Sequence, residues 1–190
     1  NESVVVTAQT GSGKTLIADY VIDKFIQSEK RVIYTAPIKA LSNQKFRDFK
    51  LAYGEDAVGI MTGDIVINSQ APILIMTTEI YRNMLLCNDP SLEHISYVVF
   101  DEIHYINDIE RGTIWEESII FSPETVRFLC LSATIPNARE FADWIESIKK
   151  HTVTVVKHDK RVVPLKHQLF DSYLGITDSA ALEKHIKEIE

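Results

Sequence analysis

Cysteine is scarce. The 190 residues hold two, Cys87 and Cys130, far apart in sequence and neither in a C-x-x-C pair. That spacing excludes a disulfide framework and a cysteine zinc site, and it points to a reduced, intracellular protein, cytoplasmic or, in a eukaryote, nuclear. No apolar stretch approaches the ~20 residues of a membrane span. The opening NESVVV has no basic n-region of a signal peptide, so a soluble chain, or a piece of one, with no membrane partner is expected. An excess of positive charge is also missing. The net charge of -7 excludes wholesale electrostatic wrapping of a polyanion and leaves contacts at placed residues only. His94, His151, His158, His167 and His185 have no metal-ligand spacing and suit surface or capping roles. Internal repeats and low-complexity tracts are absent. What remains, 45% hydrophobic and 25% charged residues, is ordinary globular composition, enough to bury roughly 70% of the unfolded surface in one core. One domain and a short remainder are expected.

Short β-branched runs alternate with longer amphipathic ones. SVVVTA (3–8), RVIYTA (31–36), AVGIM (57–61), ILIMTT (73–78), YVVFD (97–101) and RFLCLSA (127–133) read as strands. Between them, 14–28, 38–54, 79–87, 113–121 and 137–150 have helical spacing, and Trp115 and Trp144 fall on helix faces suited to the core. Continuous apolar strands imply a sheet covered on both faces. The alternation implies an α/β fold, mostly parallel, with helices on both faces and ligands at the carboxyl ends of the strands. After residue 150 the pattern weakens: TVTVV and PLKHQLF suit strands, and ALEKHIKEIE suits a terminal helix.

The run YVVFDEIH (97–104) ends a buried strand in two adjacent carboxylates, Asp101 and Glu102. Two unpaired anions at low dielectric are costly, so a cation should face them. The first strand-helix junction, AQTGSGKT (8–15), supplies one indirectly. It fits the Walker A pattern with Ala8 in the first place. In such a loop the backbone N–H groups of Thr10, Gly11, Ser12, Gly13, Lys14 and Thr15 turn toward a phosphate at a helix start. Lys14 reaches the β- and γ-phosphates, and the Thr15 hydroxyl ligates Mg2+. Asp101 then anchors that Mg2+, and Glu102 is the base or positioning group for an attacking water. ATP with Mg2+ is the expected cofactor. A Gly-rich helix cap and a strand-end turn are the plainer alternatives for the two segments, and the pairing of both in one chain favours the phosphate site.

The local order resembles the DExH-box helicases of superfamily two. DEIH is a DExH box and SAT (132–134) lies at the next strand end. The likeness is closest to the superkiller-type RNA helicases in APIKALSNQK (36–45), TGD (62–64), TTEIYRNML (77–85), DEIHYINDIERGTIWEE (101–117) and LSATIPNAREFADWI (131–145). The resemblance implies a RecA-like P-loop NTPase domain, the first lobe of a helicase, over residues 1–170, with 171–190 a linker or the start of a second lobe. It implies that Pro37, Lys39, Ala40, Gln44, Gly63, Asp64, Thr78, Glu79 and Arg82 grip a single strand of RNA, or of DNA, by phosphate and sugar. It also implies that His104, Ser132 and Thr134 couple nucleotide state to lobe closure. Lys45, Arg47 and Lys50 read as the solvated face of a helix.

Departures from the family pattern are expected to matter. The adenine-reading segment upstream of the phosphate loop is not in this sequence, so base recognition should be impaired. The second RecA-like lobe, whose arginine finger is worth roughly 10³–10⁵ in turnover in related sites, is not in it either. The implied parent is an ATP-driven RNA translocase, with an exosome-like or other RNA-processing complex as partner. A DNA helicase, or a nucleotide-gated RNA clamp with little turnover, is the alternative, and a P-loop kinase would need an acceptor site that the sequence does not show.

Overall fold

The structure is a computed structural model that describes residues 2–27, 30–92, 94–133, 135–161, 163–164, 168–173 and 175–189. In the first compact unit, Asn1–Lys160, strands β1 (Ser3–Ala8), β2 (Arg31–Ala36), β3 (Val58–Met61), β4 (Val66–Ile67), β5 (Ile73–Thr77), β6 (Ile95–Phe100), β7 (Arg127–Ser132) and β8 (Val153–His158) form one sheet. Its order is β4-β3-β5-β2-β6-β7-β1-β8. Every pairing is parallel except that of β4 on β3. The two-residue β4 is not legible in the sequence because a run that short carries no period.

Alternation along the strands builds two cores. Val5, Ile33, Leu74, Met76, Val98, Phe100, Phe128 and Cys130 face helices α3 (Thr78–Leu86), α4 (Gly112–Phe121) and α5 (Ala138–Lys149). Their neighbours Val6, Tyr34, Ile75, Val99 and Leu129 face α1 (Lys14–Ile26) and α2 (Lys39–Tyr53). Trp115 is fully buried as expected, whereas Trp144 is only partly buried and stacks on Phe141 at 5.8 Å. Lys149, 4% exposed, donates to the carbonyls of Ile120, at 2.8 Å, and Ser122 at the end of α4. Helix C-termini carry carbonyls without intrahelical donors, and an ammonium suits them.

The second unit, Arg161–Glu190, holds an antiparallel pair, β9 (Leu169–Asp171) with β10 (Gly175–Thr177), then α6 (Ser179–Ile189). The strand expected over PLKHQLF falls partly on 165–167, outside the described residues. Among the described residues no helix is long and apolar enough to cross a membrane.

Candidate nucleotide and nucleic-acid site

Because β1, β2, β5, β6 and β7 run parallel, their carboxyl ends share one edge of the sheet. The segments leaving those ends are 9–13, 37–38, Thr78, 101–104 and Ser132 onward. Five motifs scattered over roughly 125 residues of sequence are thereby brought to the edge where open α/β sheets bind ligands.

The loop after β1 turns through Gly11 and Gly13, at φ 80° and 83°. Both values lie in the left-handed region that glycine enters without strain. Gly13 is the N-cap of α1, with no side chain capping the helix. The leading N–H groups of α1 therefore look for an acceptor outside it. Ser12 N–H donates to Gln9 O at 3.2 Å, while Ser12 Oγ is buried with no protein partner. The Lys14 amine lies across the base of its loop, donating to Ala8 O at 2.9 Å and Gln9 O at 3.3 Å. Thr10 is exposed at the turn.

Asp101 is half-buried beyond β6, where its N–H donates to Thr35 O. Its Oδ2 accepts the Tyr34 hydroxyl at 2.5 Å and its Oδ1 accepts Glu102 N–H at 3.0 Å. Glu102 is a non-glycine residue at φ 53°. That left-handed geometry turns the chain sharply from strand into the 3-10 helix Ile103–Asn107. His104 Nδ1 lies 3.2 Å from Glu102 Oε2, close enough for an ion pair but without the alignment of a hydrogen bond. Ser132 Oγ, at the end of β7, is buried without a partner. So is Thr7 Oγ1, its register partner on β1. Buried hydroxyls normally find partners, and two adjacent ones left over mark a polar spot in the sheet edge. Thr134 lies outside the described residues.

Lys45, expected on a solvated helix face, is corrected by the structure. Its amine donates to Thr15 Oγ1 at 3.1 Å and sits 5.8 Å from the centre of the Tyr34 ring. Helical periodicity gives the side of a helix, not which neighbour waits there. A continuous chain of contacts, Thr15 to Lys45 to Tyr34 to Asp101, thus joins the glycine-loop end of α1 to the carboxylate pair. Burial, and then the Asp101 charge, push the Tyr34 hydroxyl well above the usual tyrosine range, so it stays a donor.

A second cleft, about 340 Å³, opens on the same edge between Pro37, Lys39, Gly63, Glu79, Ile80 and Arg111. Lys39 pairs with Asp64 at 2.5 Å. Arg111 donates to Pro37 O at 2.8 Å and to the Glu79 carboxylate, and its guanidinium stacks 5.7 Å from the Trp115 ring one turn on. Four of the residues expected to touch a strand therefore meet here, with Asp64 alongside. Ala40 and Gln44 are exposed on α2 beyond the cleft lining. Thr78 is fully buried, so Glu79 and Ile80 are what the first turn of α3 shows the cleft. Arg82 turns toward α4 and pairs with Glu117 at 3.4 Å. Arg111 was not singled out from the sequence. Its signal was a lone cation just before a helix, inside the long stretch DEIHYINDIERGTIWEE.

The residues fit a magnesium nucleotide. Among the described residues no cluster of three His, Cys, Asp or Glu side chains could cage a metal. Mg2+ does not ask for one: it is held by one or two carboxylates and substrate phosphates, with several waters. Thr15 Oγ1, Asp101 and the orphan Ser12 hydroxyl beside left-handed glycines match that donor set.

The DEAD/DEAH box helicase family matches residues 1–141. Human superkiller complex protein 2 is 50% identical over 170 residues, which cover 90% of this chain and 14% of that protein. The ATP-dependent RNA helicase mtr4 of Schizosaccharomyces pombe is 50% identical over 171 residues, 90% of this chain and 15% of that protein. The chain thus spans about a seventh of the length of these relatives. Among solved structures, Mycobacterium smegmatis helicase Lhr bound to ssDNA and AMP-PNP superposes with TM-score 0.66 at 25% identity, over 90% of this chain and 25% of that one. DUF1998 helicase MrfA bound to DNA and AMPPNP gives 0.69 at 22%, over 99% and 30%. A glycine-rich loop after β1 and an acidic pair after β6, both on the carboxyl edge of one sheet, and a family match running through both, place this chain in the DEAD/DEAH box helicases, among sequences similar to the superkiller and Mtr4 RNA helicases.

Proposed function

We propose that this chain is the ATP-binding lobe of an ATP-dependent RNA helicase or translocase, in which ATP hydrolysis drives movement along single-stranded RNA. The observation that supports the reading is the linked array Thr15, Lys45, Tyr34 and Asp101, which joins the helix start after the glycine loop to the acidic pair along one strand-end edge. Lys14 and the N–H groups of the loop would hold the β- and γ-phosphates, with Thr15 and Asp101 holding Mg2+. Bound Mg2+ supplies neutralisation of charge that grows on the phosphate oxygens. Glu102 would orient the attacking water and take its proton, and Lys14 would offset charge developing in the transition state. His104, Ser132 and Thr134 would carry nucleotide state to a second RecA-like lobe that completes the site.

The cleft of Pro37, Lys39, Gly63, Glu79 and Arg111 would take a sugar-phosphate backbone. RNA is favoured because the similar curated proteins are named as RNA helicases or superkiller proteins. An exosome-like or other RNA-processing complex is the corresponding partner. Residues 1–170 are read as the first lobe, with 171–190 a linker or the start of the second.

The test is steady-state ATP hydrolysis by a chain carrying both lobes, with single-stranded RNA or DNA, and with Glu102→Gln as the blank. RNA-stimulated turnover that Glu102→Gln abolishes while nucleotide binding persists is expected. Greater stimulation by DNA makes the substrate DNA. Binding without turnover above the blank makes the protein a clamp.

A further inference from the structure

The acidic pair and the phosphate loop leave two side chains without a role, Tyr34 on β2 and Lys45 on α2. Tyr34 is fully buried in the α1 and α2 face of the sheet, and its ring meets the edge of Phe49 at 5.3 Å. A tyrosine in that core needs a partner for its hydroxyl, or a phenylalanine would pack as well. The partner is Asp101 Oδ2 at 2.5 Å. With Oδ1 taken by Glu102 N–H, the carboxylate has both oxygens pinned and one lone pair on each still free. That fixes the direction in which Asp101 can face a cation.

Lys45 makes the opposite kind of contact. Its ammonium donates to Thr15 Oγ1 at 3.1 Å, the oxygen that a P-loop offers to its metal. A fixed ammonium and a divalent cation on one hydroxyl repel each other strongly, so both cannot hold it at full occupancy. Lys45 has another place to go. Asp19 lies one helical turn after Thr15 on the same face of α1, and burial holds its carboxyl above the usual range, an effect the Lys45 charge only partly offsets.

Resting on the ATPase reading above, we propose that Tyr34 and Lys45 are positioning residues of its metal end, Tyr34 by aiming the Asp101 carboxylate and Lys45 by competing with the divalent cation for Thr15 Oγ1. The two act in opposite directions. Tyr34 raises metal affinity, and Lys45 lowers it and keeps the hydroxyl aligned for exchange. Removing an outer group that orients a ligand costs metal affinity about 10–100-fold.

The experiment uses a chain carrying both lobes and the segment upstream of the loop, with 2′/3′-N-methylanthraniloyl-ADP, whose fluorescence gives nucleotide affinity in EDTA, and Mn2+, whose free fraction is read by EPR at saturating nucleotide. Tyr34→Phe should leave metal-free nucleotide affinity within about twofold and weaken Mn2+ binding about tenfold or more. Lys45→Met should tighten Mn2+ binding on the order of tenfold, Lys45→Gln should do the same, and Lys45→Arg, which keeps the charge, should stay near wild type. The phenylalanine keeps the ring on Phe49, and the two neutral lysine variants guard against a folding artefact in either one. Unchanged Mn2+ affinity in Tyr34→Phe, or weaker or unchanged Mn2+ binding in both neutral Lys45 variants, overturns the proposal and leaves the ATPase reading standing. If the wild-type chain binds no nucleotide, or Lys14→Ala binds as well as wild type, the ATPase reading falls and takes this proposal with it.

Discussion

A methyl group added at Gly112 should be felt both in stability and at the carboxylate pair. Gly112 opens α4, buried against the 3-10 helix that begins after Glu102. A Cβ built there would lie 2.2 Å from the Ile106 carbonyl oxygen and 3.0 Å from its carbon. These are backbone atoms, so no side chain can swing aside, and the 103–107 turn must shift by about an ångström. Overpacking of this kind costs about 1–3 kcal/mol, less a few tenths recovered from the better helix propensity of alanine. For a chain of this size 1 kcal/mol lowers Tm by about 2–4 °C, so Gly112→Ala should melt about 1.5–10 °C below wild type. Gly63→Ala is the control. Its nearest neighbour is the flexible Lys39 Nζ at 3.5 Å, ordinary contact, so its melting point should stay within about 1 °C. Circular dichroism against temperature reads both. The shift should also displace Glu102 through the turn it begins, so ATP turnover in the two-lobed chain should fall while nucleotide binding holds. Equal melting points for the two variants would refute the reasoning, because it rests on backbone contact at one glycine and open space at the other.

Arg111→Ala removes the guanidinium that joins Pro37 and Glu79. It should weaken single-stranded RNA binding about equally across sequences and lower the salt slope by about 1, as filter binding at several salt concentrations will show. Lys149→Met leaves the Ile120 and Ser122 carbonyls without their donor. A loss of about 1–3 kcal/mol in urea unfolding is expected. His151 Nε2 meets Ser3 Oγ at 2.7 Å, and burial, then the Arg127 charge, hold the ring below the usual histidine range. The unfolded chain, titrating near 6.5, then binds the proton that the folded chain refuses. Stability should fall as pH drops from 7 through about 6.5 and level off below the folded value, and His151→Asn should flatten that slope in urea midpoints taken from pH 5 to 8.

The sheet was legible because each inner strand carries an unbroken apolar run that only a doubly covered position explains, and the turn after β1 because its glycines fall where backbone sterics demand them. Glu102 and Lys14 could be placed for the same reason: each sits where a strand or its loop gives way to a helix. Lys45 and Arg111 could not. Each lies on or beside a helix whose periodicity says which side it faces, and the partners, Thr15 and Tyr34 for one and Pro37 and Glu79 for the other, are 11 to 74 positions away in the chain. Thr7 and Ser132 were hidden differently. A small hydroxyl inside an apolar strand looks like packing until the register shows two of them side by side. The short β4 was invisible because two residues have no period.

The alternation that divides the core also addresses the site. On β2, Ile33 feeds one face and Tyr34 the other, and on β6 Val98 and Val99 do the same. A single-residue deletion in β6 would send Val99 to the face of Val98, and it would draw Asp101 one place back along the strand, away from the Tyr34 hydroxyl. Hydrophobic parity thus acts as a reading frame for chemistry: the same count that keeps valines out of water keeps a carboxylate opposite its phenol, so selection on packing alone would already guard the geometry of the strand-end edge.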